Sequence, residues 1–208
     1  MLTAILVDGG FLKQKLRFAH GGRYPTADEV WRLCTEGLMS TPELAQDQLF
    51  RIYFYDCRPY DGSIVDPRTR EPVDFGNSPS AMAQRKFLDE LSAKPHTLLR
   101  AGELAYRGLI IPQDRMNFTE EGEIKIYADD LVHNFVQKQV DIKMGLDISW
   151  VSQNRLVGKL VLVAGDSDLI PAMEFARQQG MLVYLAPLEH SVKFGMLEHA
   201  DGLLHVEI

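Results

Sequence analysis

Two aspartates one residue apart, Asp166 and Asp168, follow an apolar run of strand length, Leu160 to Ala164, and the break at Gly165. A third, Asp8, follows a second such run, Ala4 to Val7, and precedes Gly9 and Gly10. Carboxylates gathered this closely repel one another unless they are protonated or share a cation. A hard divalent ion that prefers oxygen ligands, Mg²⁺ or Mn²⁺, would resolve that conflict. The competing reading is that Asp168 only caps its helix and Asp166 is a solvated turn residue. Asp141 falls at the amino end of a helix that starts near Val140, where a carboxylate is electrostatically favoured. Asp147 follows six residues later, about 120° further around the helix axis, so Asp141 is the stronger candidate.

These residues need a scaffold that brings strand ends together. Continuous apolar runs such as Leu160–Ala164 fit strands buried on both faces of a parallel sheet. Leu169, Ala172, Met173 and Ala176 then recur at helical spacing until Gly180. Both aspartate-bearing segments therefore read as strand, acidic turn, helix, and open α/β sheets place ligand sites at that edge. If the two strands are neighbours, Asp8 and Asp166 meet there.

Further strands are expected at Gln48–Tyr55, Thr97–Tyr106, Met181–Ala186 and Leu203–Ile208. Helices are expected from the capping box Thr26–Glu29 to about Met39, over Ser80–Leu91, again from Ala128, and over Ser191–Ala200. In the helix beginning at Gln139, the face bearing Ile142, Gly145, Leu146, Ser149 and Gln153 is expected to pack on the sheet. Two long loops, at about 57–80 and 108–124, interrupt this alternation. The first carries Arg58, Arg68 and Arg70 beside Tyr60 and Phe75. Such a set could grip a nucleic-acid backbone and stack a base, or be a surface loop with scattered charge. The alternation of strand and helix implies a single three-layer α/β domain, residues 1–208, with a mainly parallel central sheet.

Composition narrows the function. Acidic residues outnumber basic ones by 29 to 22, which argues against a protein that coats duplex DNA with a broad basic face. Cys34 and Cys57 form no zinc-like or CxxC spacing and suit buried thiols in a reducing compartment. The start of the chain has no basic region ahead of its apolar run, and no apolar segment has membrane-spanning length. A cytoplasmic protein without a membrane partner is expected. Oligomeric state is open, a homodimer included.

In chain order, Asp8-Gly9-Gly10-Phe11, Val140-Asp141 and Gly165-Asp166-Ser167-Asp168 resemble the NYN domain family, relatives of the PIN-domain nucleases, and Glu198-His199-Ala200-Asp201 resembles the family's ending. The likeness extends over nearly the whole chain. It departs from the family at Gly10-Phe11-Leu12, where many relatives carry an asparagine. The resemblance implies a PIN-like, Rossmann-like fold and metal-dependent RNA cleavage, with Asp8, Asp141, Asp166 and Asp168 as the acidic site. Asp147 corresponds to a further, weaker acidic position. It also implies Mg²⁺ or Mn²⁺ as cofactor and RNA as partner, single-stranded because the loops offer arginines and aromatics suited to an open strand. Ser167 is then a candidate contact to a phosphate oxygen, with a small turn residue as the alternative. Lys143 is a candidate phosphate contact at the rim.

Two rivals stand beside that reading. A haloacid dehalogenase-like phosphatase shares a late Gly-Asp after a strand, but it needs a second aspartate two residues after the first, and position 10 is glycine. An RNA-binding or regulatory protein with little turnover would keep the fold. Phosphate-loop, dinucleotide, zinc-protease and nucleophile-elbow motifs do not occur, and the six histidines form no ligand spacing.

Overall fold

The computed structural model describes residues 1–118 and 122–208, the side chains of Asn117 and Phe118 apart. Part of the loop expected at about 108–124 thus lies outside the described residues.

Ala4–Val7 are wholly shielded from solvent and form the heart of β1, Leu2–Asp8. Alternation along a strand divides them between two cores. Ala4 and Leu6 join one cluster, and Ile5 and Val7 join the other. Asp8 continues the Ala4–Leu6 parity, so its side chain belongs to the first face. Helix α1, Gly9–Ala19, begins at once, and the Asp8 carboxylate caps it. Gly9 is required by space: a Cβ there would stand 2.7 Å from the Tyr55 carbonyl oxygen and 2.7 Å from the Phe54 ring. Then come α2, Ala27–Arg32, opened by the Thr26–Glu29 capping box, and β2, Gln48–Cys57.

The first long loop contains a small antiparallel hairpin, β3, Ser63–Val65, and β4, Pro72–Asp74. Helix α3, Pro79–Ser92, starts with Ser78 as cap and proline in its first turn. Strand β5, Thr97–Ile110, runs longer than its sequence pattern indicates. The two-residue strands β6, Asn117–Phe118, and β7, Ile124–Lys125, pair with each other. Strand β8, Val132–Lys138, then returns antiparallel to β5. The helix expected from Ala128 is one 3₁₀ turn, Ala128–Asp130, ahead of this strand.

Helix α4 spans Val140–Gln153, β9 Lys159–Val163, α5 Ile170–Gln178 and β10 Leu182–Leu185. Helix α6, Phe194–Glu198, and β11, Gly202–Leu203, end the order, so the closing strand is shorter than expected. The seven-stranded sheet runs β11-β10-β9-β1-β2-β5-β8, parallel except for the β5–β8 pair. This is the expected α/β architecture with a mainly parallel central sheet, and β1 and β9 are adjacent at its centre, Val7 opposite Val163.

Helix α4 packs through Val140, Met144, Ile148 and Val151. Ile142 and Leu146, expected to face the sheet, are instead 70% and 62% exposed. Among the described residues, no helix is long and apolar enough to cross a membrane.

Candidate active site

Because β1 and β9 are parallel neighbours, their carboxyl ends deliver Asp8 and the Gly165–Asp168 turn to the same edge of the sheet. Asp8 Oδ1 accepts the Gly10 N–H at 2.9 Å and the Phe11 N–H at 3.1 Å, which fixes the carboxylate and leaves Oδ2 for an outside ligand. Burial pushes the Asp8 pKa up. The two N–H groups oppose that rise, and the nearby charges of Asp141 and Asp56 add to it.

Asp141 stands in the first turn of α4 and accepts no hydrogen bond from the described residues. Partial burial of its carboxyl, then the charges of Asp166 and Asp168, push its pKa up, although the residue as a whole remains solvent-exposed. Asp141 thus electrostatically links Asp8 on one side with the Asp166–Asp168 pair on the other. Asp166 Oδ1 accepts the Asp168 N–H at 3.0 Å and opens the 3₁₀ turn Ser167–Leu169 that leads into α5. Both carboxylates remain exposed to solvent.

A cleft of about 640 Å³ reaches from Asp8 to Asp166, with Phe11, Lys15, Phe18 and His190 in its walls. Lys15 Nζ lies 3.1 Å from His190 Nδ1, and Phe11 meets the His190 ring edge-on at 5.7 Å. Gly165 is needed where these rings close in, since a Cβ would come within 2.8 Å of Phe11 and 3.0 Å of His190. Lys193 Nζ donates to Ser167 Oγ at 2.9 Å. His190 and Lys193 had no signal in the sequence beyond residue type. Topology alone brings their loop, which follows β10, over the β9 turn.

The remaining candidates are placed differently. Asp147 takes two hydrogen bonds from Arg100, Nε at 2.6 Å and Nη2 at 2.9 Å, and one from Tyr55 Oη at 2.9 Å. Its side chain is 14% exposed, and these three donors occupy its oxygens as a clamp between α4, β2 and β5. Lys143 Nζ donates to the Ala101 carbonyl at 2.5 Å, which ties it to β5 and away from the rim. Asp56, in β2, carries no motif that marks it in the sequence. It is 2% exposed and bound by Lys13 at 2.5 Å, the Gln84 amide at 3.0 Å and the Cys57 N–H at 2.8 Å.

An oxygen-loving cation suits the chemistry of this donor set. Among the described residues, no three acidic, histidine or cysteine side chains stand close enough together to enclose an ion. An ion here would be held by one or two carboxylates and complete its shell with water and substrate oxygens, the usual habit of Mg²⁺.

Residues 104–202 match the family model of the NYN domain, and neither a curated protein nor a solved structure matches the chain. The family likeness is thus borne out over a narrower span than the sequence motifs suggest: Asp141, Asp166, Asp168 and Asp201 fall inside it, and β1 with Asp8 falls outside.

Proposed function

With the NYN match over residues 104–202 as premise, we propose that this chain is a metal-dependent endoribonuclease that hydrolyses single-stranded RNA. The observation that carries this reading is the adjacency of β1 and β9, which sets Asp8 beside the Asp166–Asp168 turn at one sheet edge, with Asp141 between them electrostatically. One or two of the carboxylates of Asp8, through Oδ2, Asp141, Asp166 and Asp168 would hold Mg²⁺ or Mn²⁺ directly, and the others would act through water in its shell. The bound ion would polarise the scissile phosphodiester, aid deprotonation of an attacking water and stabilise charge on the leaving oxygen.

The chain's own residues do the rest. The two N–H groups on Asp8 Oδ1 keep that carboxylate from turning away. Lys15 and Lys193 supply positive charge on the cleft wall and above Ser167, where a phosphate would approach the carboxylates. Ser167 Oγ accepts from Lys193, which leaves its O–H to donate to a phosphate oxygen, and Lys143 contributes through the placement of α4 on β5. Asp147 is a positioning group in this account, not a ligand. A phosphatase of the dehalogenase type gains no support, because Gly10 leaves the general-acid position without a carboxyl.

A thermal shift tests the metal. Preferential binding to the native state stabilises by about 2.7 kcal/mol when the ion is at 100 times its Kd. For a chain of this size that corresponds to a rise in Tm of roughly 5–10 °C. Asp166→Asn should give a smaller rise while remaining as stable as wild type without the ion, since the amide oxygen can still accept the Asp168 N–H.

The apo protein should also respond to pH. Asp8 and Asp141 have folded pKa values above their unfolded ones, so their stabilising contribution is complete below the ordinary carboxylate range and disappears as pH rises through the folded values. The metal-induced gain should therefore grow with pH over that window. An unchanged Tm with either ion, or an Asp166→Asn variant unstable without metal, would overturn the assignment.

A further inference from the structure

Beside the acidic cleft lies a second one, of about 310 Å³, whose residues come from five separate parts of the fold. Its walls are aromatic. Tyr60, Phe75 and Phe135 meet one another at ring separations of 5.0–6.0 Å and interplanar angles of 51–84°. Tyr106 packs tilted on all three rings and His133 meets Phe75 edge-on, so the wall belongs to a larger aromatic cluster in which Tyr60, Phe75 and Phe135 remain partly exposed.

Its floor is polar. Asp56, Lys13 and Gln84 form a network in which the Lys13 ammonium touches Asp56 at 2.5 Å and Gln84 Oε1 at 3.3 Å. A buried ion pair is weak as a source of stability, so one kept beneath an aromatic cleft invites another role. Three N–H donors reach Asp56, while a carboxylate has about four acceptor positions. Lys13 similarly has one of its three protons left after Asp56 and Gln84. By this count the floor retains one acceptor position, on the nearly buried Asp56 carboxylate, and one donor proton, on Lys13.

We propose that this cleft is a nucleobase subsite, in which an unpaired base stacks against the Tyr60–Phe75–Phe135 wall and sets its polar edge on Asp56 and Lys13. A base edge carries a donor next to an acceptor, the complement of that floor. The flat ring system suits aromatic walls, as in other single-strand binders. Gln137 connects the two clefts: it lines this one, and its Oε1 lies 4.0 Å from where a Cβ on Gly10 would stand, next to the N–H that holds Asp8. A strand with one phosphate at the carboxylates would thus have a neighbouring base at the second cleft. The inference rests on the ribonuclease reading for its substrate, and its test separates the two.

The probe is a labelled 2′-O-methyl oligonucleotide, which the protein cannot cut, compared with the same backbone made abasic. Fluorescence anisotropy without divalent ions measures both. Wild type should prefer the strand with bases by roughly tenfold, the scale of one lost base–aromatic stack. Tyr60→Leu and Ser80→Leu should bring the two strands close to parity while leaving abasic binding unchanged. Ser80 lines the cleft and is exposed, so the leucine adds bulk there without removing any ring or supplying a new stacking face. Equal binding of both strands by wild type, no binding of either, or a preference that survives both substitutions overturns the subsite. Cleavage of ordinary RNA by a wild type that binds both strands equally would do so while the ribonuclease reading stands. Base-dependent binding lost in these variants, by a protein that cuts no RNA, would uphold the subsite and overturn the ribonuclease reading.

Discussion

Asp8→Asn should lower the rate of RNA cleavage by on the order of a hundredfold or more and leave the fold intact. The amide retains an oxygen to accept the Gly10 and Phe11 N–H groups, so the cap on α1 survives and only the charge is lost. A metal-holding carboxylate contributes several kcal/mol to stabilising charge in the transition state, and each 1.36 kcal/mol is a factor of about ten in rate. Asp141→Asn and Asp166→Asn should behave alike, and a double variant should lose little more than either single one because the groups act as a unit. Single-turnover cleavage with saturating protein measures the rate, and Tm without metal measures the fold. A rate within a few-fold of wild type in Asp8→Asn would remove that residue from the site. A variant that unfolds without metal would make Asp8 a structural cap only.

Asp147→Ala should destabilise the protein by about 2–4 kcal/mol. The substitution strips Arg100 of both carboxylate oxygens and leaves the buried Tyr55 hydroxyl without its acceptor. Breaking a buried pair by removing one partner costs about 3–5 kcal/mol. Arg100 is 36% exposed and can recover some hydration, which lowers the figure. Urea denaturation checks it. At temperatures where the variant is folded, cleavage should stay within a few-fold of wild type. Full stability with cleavage lost would instead return Asp147 to the metal-holding set, the place its family correspondence implies.

The contrast between Asp8 and Asp147 shows which features were legible in the chain alone. β1 and β9 could be read because central strands buried on both faces need uninterrupted apolar runs, and Asp8 and the Gly165–Asp168 turn each follow such a run. Their adjacency follows once they are the two innermost runs of a parallel sheet. The Asp147 clamp was invisible, since it joins residues 47 and 92 positions apart by a topology that helix periodicity does not report. The Lys13–Asp56–Gln84 network is hidden for the same reason.

The sequence pattern does not reveal β8, because it is an edge strand whose last residues, Val136, Gln137 and Lys138, are exposed, so burial imposes no clear alternation there. Helix α4 presents two apolar stripes at helical spacing. Val140, Met144 and Ile148 are buried, while Ile142, Leu146 and Trp150 are exposed. Period alone ranks neither above the other. The choice depends on where Val140 enters the sheet beside Gly102, a contact between distant segments.

The most direct test of a metal-dependent ribonuclease is to give purified protein a labelled single-stranded RNA, its duplex form and a phosphate monoester, each with Mn²⁺, with Mg²⁺ and with chelator. The account predicts internal cuts in the single strand with metal, little or no cutting of the duplex, no monoester turnover, and no reaction under chelation. Cleavage that persists in chelator, or monoester turnover in place of RNA cleavage, would contradict it.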